Sequence, residues 1–171
     1  KGINTLVCDS TNVFHDHHGR SESNLFDNFV NLFKEVKGIV VATTFASNLA
    51  RLKTLASAAD RTGRSLVVLG RAMNNMINYG KESGILKDFP EILSPRDAKL
   101  VPKNHLLVLA SGSQGEPRAA SAQLARESYM GFTIGKGDVF LFSSKTIPGN
   151  EIRVSYIIDQ LERRGVEVIE D

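Results

Sequence analysis

The chain has little that would staple it, anchor it or mark it as an enzyme. A single cysteine in 171 residues, Cys8, excludes an internal disulfide and fits a reducing compartment. Its place inside an apolar run predicts a packed thiol rather than a reactive one. No apolar stretch approaches the length of a membrane span, and the first residues carry no signal-peptide pattern, so a cytoplasmic protein is expected. The net charge is only +2, with a pI near 8.8. That balance permits a polyanionic partner without arguing for one, because nucleic-acid binding needs a clustered patch rather than a small excess. There is no internal repeat, low-complexity tract or linker. No Ser/His/Asp set, Cys/His pair or metal cluster can be assembled from the spacing. His15-Asp16-His17-His18 invites a zinc reading, but neighbouring loop histidines seldom point at one ion and His-x-His-x-Asp-His is not matched. A solvated loop is the simpler reading.

What is present is alternation. The length suits one domain with a proper core. Residues 3–8 read as a strand, followed by a polar loop and a helix opened by Ser21, with Leu25, Phe29, Leu32, Phe33 and Val36 at helical spacing. Residues 39–42 and 66–69 form further apolar runs. Each precedes a helical pattern, one carrying Leu49, Leu52, Leu55, Ala56 and Ala59 and stopping at Gly63, the other carrying Met73, Met76 and Ile77 and ending near Gly84. Ser94-Pro95-Arg96-Asp97 places a capping serine, a first-turn proline and an acid where a short helix should open. Residues 106–110 then form the central strand, and a helix is expected from Arg118 to about Ser128 with Pro117 in its first turn. Gly135-Lys136-Gly137-Asp138 reads as a turn, since no serine or threonine follows Gly-Lys. Residues 139–142 and 166–169 are the last strands, around a helix with Val154, Ile157, Ile158 and Leu161 on one face and Gly165 at its end.

Short continuous apolar strands alternating with helices predict an α/β fold: three layers, a mostly parallel, Rossmann-like sheet with helices on both faces. In such a sheet the strand-to-helix loops share the carboxyl edge, where open α/β sheets bind ligands. Those loops are Asp9-Ser10-Thr11-Asn12, residues 43–48, Gly70-Arg71-Ala72-Met73, Ser111-Gly112-Ser113-Gln114-Gly115-Glu116-Pro117 and residues 143–151. They are rich in hydroxyls, amides and glycines, with Arg71 and Lys145 adding charge, an inventory that suits holding phosphates and sugars. His105 is expected at the start of its strand, away from that edge.

Taken in order, Asp9-Ser10-Thr11-Asn12, Thr44-Phe45-Ala46-Ser47-Asn48, Gly70-Arg71-Ala72-Met73, residues 111–117 and Ile147-Pro148-Gly149-Asn150-Glu151 resemble the β-CASP domain of bacterial ribonuclease J, in the metallo-β-lactamase superfamily. The resemblance spans residues 1–171 as a single β-CASP-type domain cut from a longer protein, consistent with an opening without methionine and an end just after a strand. It implies a zinc-dependent ribonuclease acting in RNA maturation and decay, with 5′-to-3′ exonuclease and endonuclease activity and two zinc ions activating water. By that likeness Asp9 is the acidic motif A residue, supporting proton transfer to the leaving group without binding metal. The zinc ligands are expected outside the chain, so the piece alone is expected to be inactive. Ser10, Thr11, Asn12, Ser47, Asn48, Arg71, Ser111, Gly112, Ser113, Gln114, Gly115 and Asn150 are the candidates for RNA and phosphate binding. The implied partners are a single-stranded RNA with its 5′ end in the cleft and the metallo-β-lactamase domain of the same parent; a homo-oligomer is compatible, a membrane is not. The competing readings are a sugar-phosphate-binding domain of the sugar isomerase type and a non-catalytic docking module.

Overall fold

A computed structural model describes residues 2–8 and 22–170. Six parallel strands form one sheet: β1 (Val40–Thr43), β2 (Ser65–Leu69), β3 (Ile92–Leu93), β4 (Leu106–Ala110), β5 (Val139–Phe142) and β6 (Glu167–Glu170), in the order β3-β2-β4-β1-β5-β6. The register is flush at one end. Thr43 lies beside both Ala110 and Phe142, Leu69 beside Ala110, and Phe142 beside Glu170, so five strands finish level along the carboxyl edge.

The four inner strands, β2, β4, β1 and β5, read as apolar runs because both sides of the sheet are covered there. On one side α1 (Leu25–Glu35), α2 (Leu49–Arg61) and α3 (Arg71–Glu82) pack on Val40, Ala42, Leu66, Val68, Leu107 and Leu109. On the other, α4 (Pro95–Ala98), α5 (Ala120–Arg126) and α6 (Glu151–Arg163) pack on Val41, Val67, Leu69, Val108, Phe140 and Phe142. Successive strand residues alternate between the two cores, as the twofold period of a strand requires. Ser94 Oγ accepts the Asp97 N–H at 3.1 Å and bonds Asp97 Oδ2 at 2.7 Å, the expected capping arrangement at α4.

The amino edge is locked by two buried charged groups. Arg64, 4% exposed, inserts its guanidinium where α1 ends and β4 begins. Its five bonds reach four carbonyls: Phe33 O from Nε (3.1 Å) and Nη2 (2.9 Å), Val36 O (2.6 Å), Gly38 O (3.0 Å) and Leu106 O (2.9 Å). Desolvation by burial lowers the pKa of its guanidinium below the usual arginine range. Asp138, 2% exposed, accepts the N–H groups of Ile39 (2.9 Å) and Gly135 (3.0 Å) and pairs with Lys103 (2.9 Å). His105 ends a single 3₁₀ turn before β4, its Nδ1 3.1 Å from Gly63 O, at this edge as expected.

Three expectations need correcting. Residues 3–8 belong to no strand; Ile3, Leu6 and Val7 are 77–91% exposed and Cys8 is exposed rather than packed, because no described layer covers this run. The helix expected from Arg118 begins at Ala120 and ends at Arg126, leaving Pro117 in the preceding loop. There Ser111 takes over the first helical donors: its Oγ accepts Ala120 N–H at 3.3 Å and its carbonyl accepts Ser121 N–H at 3.0 Å. Finally, β3 was not anticipated, since two residues carry no periodicity.

Candidate functional site

Adjacent strands send their chains to opposite faces. From β2 and β1 the chain turns to α3 and α2 on one side; from β4 and β5, interleaved with them, it turns to α5 and α6 on the other. The carboxyl edge is therefore furrowed along its middle, the situation in which open parallel sheets admit ligands.

The loop from β4 to α5 forms the centre of that furrow. Ser111 continues the sheet, donating its N–H to Leu69 O at 2.9 Å. Gly70 (φ 118°) lies against it, and a Cβ there would collide with the Ser111 side chain. Gly112 follows with φ 106°, packed so tightly on Ala119 and Ser121 that a Cβ would overlap both. Ser121 Oγ donates to Gly112 O at 2.7 Å and closes the loop from below. The N–H groups of Gly112, Ser113 and Gly115 find no acceptor among the described residues.

Gln114 ties this loop to the one after β5. Its Oε1 accepts from Ile147 N–H (2.8 Å) and Asn150 Nδ2 (3.3 Å), and its Nε2 donates to Lys145 O (3.1 Å). With 7% exposure and its amide fully engaged, Gln114 braces the edge, and so does Asn150, whose amide bonds it. Asn48 Oδ1 caps α2 by accepting Arg51 N–H at 3.1 Å. Ser47 and Arg71 are exposed on the rim, Ser111 is half-buried, and Ser113 is 4% exposed. Ser10, Thr11, Asn12 and Asp9, with His15, His17 and His18, lie outside the described residues. Four of the five loops named from the sequence are thus gathered on one edge.

Sequence reasoning did not single out Arg51. From the first turn of α2 its Nη1 donates to Ser143 O (2.9 Å) and Ser143 Oγ (2.6 Å), while Nε pairs with Glu22 (2.8 Å), bridging the loops after β1 and β5. Its position three residues after the capping asparagine was the available signal. Beside this bridge the hydroxyls of Thr43, Thr44 and Ser144 are buried without a hydrogen-bond partner among the described residues. A buried hydroxyl without a partner is costly, so each of these calls for one, an ordered water or a ligand oxygen. The exposed rim is basic: Arg71, Arg118, Lys145 and Arg153 stand there with Glu116 and Glu151. Both acids are turned back onto backbone donors, Glu116 to Gln114 N–H (3.0 Å) and Glu151 to Gly149 N–H (2.7 Å).

No three His, Cys, Asp or Glu side chains converge on a metal-sized site among the described residues. The described residues offer no ligand set for the zinc pair that the resemblance implies. Nor is any described helix long and apolar enough to cross a membrane.

Comparison with known proteins bears on the same segment. A family model described as "Ribonuclease J, beta-CASP domain" matches residues 37–161. The chain is similar to ribonuclease J of Sinorhizobium meliloti, 34% identical over 171 residues, covering 100% of this chain and 30% of the relative. It is 34% identical over 169 residues to ribonuclease J of Mycolicibacterium smegmatis, covering 98% of this chain and 30% of the relative. Ribonuclease J 1 of Streptococcus pyogenes is 34% identical over 171 residues, covering 99% of this chain and 30% of the relative. The chain thus spans about 30% of the length of these curated relatives. With the family model laid over β1 through most of α6, and relatives aligned from end to end, the chain belongs to the ribonuclease J β-CASP family.

Proposed function

We propose that the furrowed carboxyl edge grips a single-stranded RNA by its phosphates and sugars, as the RNA-binding half of a zinc-dependent ribonuclease. The metal-bearing half is supplied by the rest of a cytoplasmic parent protein, acting as a 5′-to-3′ exonuclease and endonuclease. The observation that carries the reading is the polar set left incomplete at the furrow: the hydroxyls of Thr43, Thr44 and Ser144, and the N–H groups of Gly112, Ser113 and Gly115. Donors of this kind satisfy phosphate oxygens and ribose hydroxyls without needing a base-specific partner. Arg71 on the rim adds the charge that phosphate attracts. Asp9 supports proton transfer at the boundary with the catalytic half, and the isolated chain hydrolyses nothing.

The test is RNA binding by the full-length parent. Affinity for single-stranded RNA falls steeply with salt, and Arg71→Ala or Ser113→Ala each weakens it by roughly 1–3 kcal/mol, with a thermal melt to show that Ser113→Ala remains folded. Asp9→Asn lowers turnover more than binding and leaves zinc content unchanged. Unchanged affinity in both edge variants would overturn the assignment, and binding without RNA length dependence would favour a sugar-phosphate ligand.

A further inference from the structure

A second surface runs down from this edge between α5 and α6, and apart from Gly115 at its upper end the proposed function does not use it. It is a cleft of about 240 Å³ that starts at Gly115 and Pro117, in the central loop of the edge. Its floor is Ala122 and Ala125 of α5 with Ile157 of α6; its outer wall is Ile152 and Tyr156. Ile152 and Tyr156 stand four residues apart on one helix face, 86% and 54% exposed, so a large apolar residue and an aromatic ring face water together. The small alanines opposite keep the cleft open. Arg153 lies at the upper end, with its Cβ against Gly115, and Arg126, in the last turn of α5, lies at the lower end. No lining residue is a carboxylate, and neither arginine pairs with one among the described residues. The acids nearest the upper end, Glu116 and Glu151, are held by backbone N–H groups.

A flat aromatic in an apolar slot with an unpaired cation at each end is the arrangement by which proteins hold single-stranded nucleic acid without reading sequence: a base on the ring, phosphates on the arginines. We propose that this cleft is a stacking subsite, in which a nucleotide of the RNA lying beyond the carboxyl-edge grip places its base against Tyr156 and Ile152 and its flanking phosphates on Arg153 and Arg126. This rests on the proposed RNA-binding function. It adds a sequence-tolerant contact that lengthens the footprint along the outer face of α6.

The experiment uses the full-length parent with single-stranded RNA of about a dozen nucleotides, a length within the range such sites cover. Tyr156→Ala weakens binding about thirtyfold, the middle of the range for losing one stacked base. Tyr156→Phe keeps the ring and binds within about twofold. The double change Arg126→Ala and Arg153→Ala weakens binding and flattens the salt dependence by up to two phosphate contacts. An RNA in which successive positions are made abasic locates the stacked base, because there Tyr156→Ala has no further effect. Unchanged affinity in Tyr156→Ala overturns the proposal, as does a Tyr156→Ala protein whose oligomeric state changes while RNA affinity does not, which would make the cleft a protein contact. Arg71→Ala separates this failure from that of the function: if it weakens RNA binding while the cleft variants do not, only the stacking subsite is wrong.

Discussion

Replacing Arg64 is the sharpest test of how this fold is held. Its side chain makes five hydrogen bonds to four carbonyls at 4% exposure, with no carboxylate in the set. If each charged bond contributed its full ~1.5–3 kcal/mol, the sum would rival the ~5–15 kcal/mol stability of a whole domain. The difference is the cost of taking a guanidinium out of water, which also lowers its pKa. Arg64→Met keeps the volume but leaves the carbonyls of Phe33, Val36, Gly38 and Leu106 without this donor. About 3–5 kcal/mol should be lost, or roughly 6–20 °C in melting temperature for a domain of this size. Arg64→Lys restores charge but offers three donors from a point rather than five from a planar fork, so about half the loss should remain. Urea unfolding at neutral pH measures both. A loss below about 1 kcal/mol for the methionine variant would refute the reasoning, since the carbonyls would then be satisfied by water. Lysine matching arginine would refute the role of the fork.

Three further outcomes follow from the geometry. Gly70→Ala forces a Cβ into Ser111 at a φ of 118° and should destabilise by about 2–4 kcal/mol in a thermal melt; a loss under 0.5 kcal/mol, roughly the scale of a neutral surface change, would mean the loop yields freely. Gln114→Ala removes three bonds between the loops after β4 and β5 and should cost about 1–3 kcal/mol and speed hydrogen exchange at the Ile147 amide, whereas unchanged exchange would show that the loops are held by other contacts. Asp138→Asn places an amide N–H₂ against donors already aimed at a carboxylate; about 2–3 kcal/mol should disappear in denaturant titration, and Lys103→Ala, which removes a mostly exposed ammonium while Asp138 keeps its two N–H donors, should cost under 1 kcal/mol.

How far the fold could be read from the sequence depends on where the determining contacts lie. β1, β2, β4 and β5 were legible because burial on both faces writes itself as a continuous apolar run, and α4 was legible because Ser94, Pro95 and Asp97 cap it locally. The same signal misled at residues 3–8, where apolarity came without a covering layer. Arg64 follows a helix stop, an ordinary place for a solvated cation, and only the meeting of α1 with β4 turns it inward. At the edge, the loops were identifiable from their hydroxyls and glycines, but not the division of labour among them. Gln114 and Asn150 look like ligands in the sequence and brace each other in the structure, while Arg51 looks like an outer helix charge and bridges two loops. Such roles depend on residues tens of positions apart and leave no local trace.

The flush register of the strands separates two groups of residues by position along the strand axis. Arg64 and Asp138 fasten one pole of the molecule, and the polar loops that follow the strands stand at the other, with both apolar cores between. A substitution on the exposed rim of the loop pole, as at Ser47 or Arg71, leaves those fasteners untouched, so the rim's chemistry can change while the bonds of the opposite pole stay as they are.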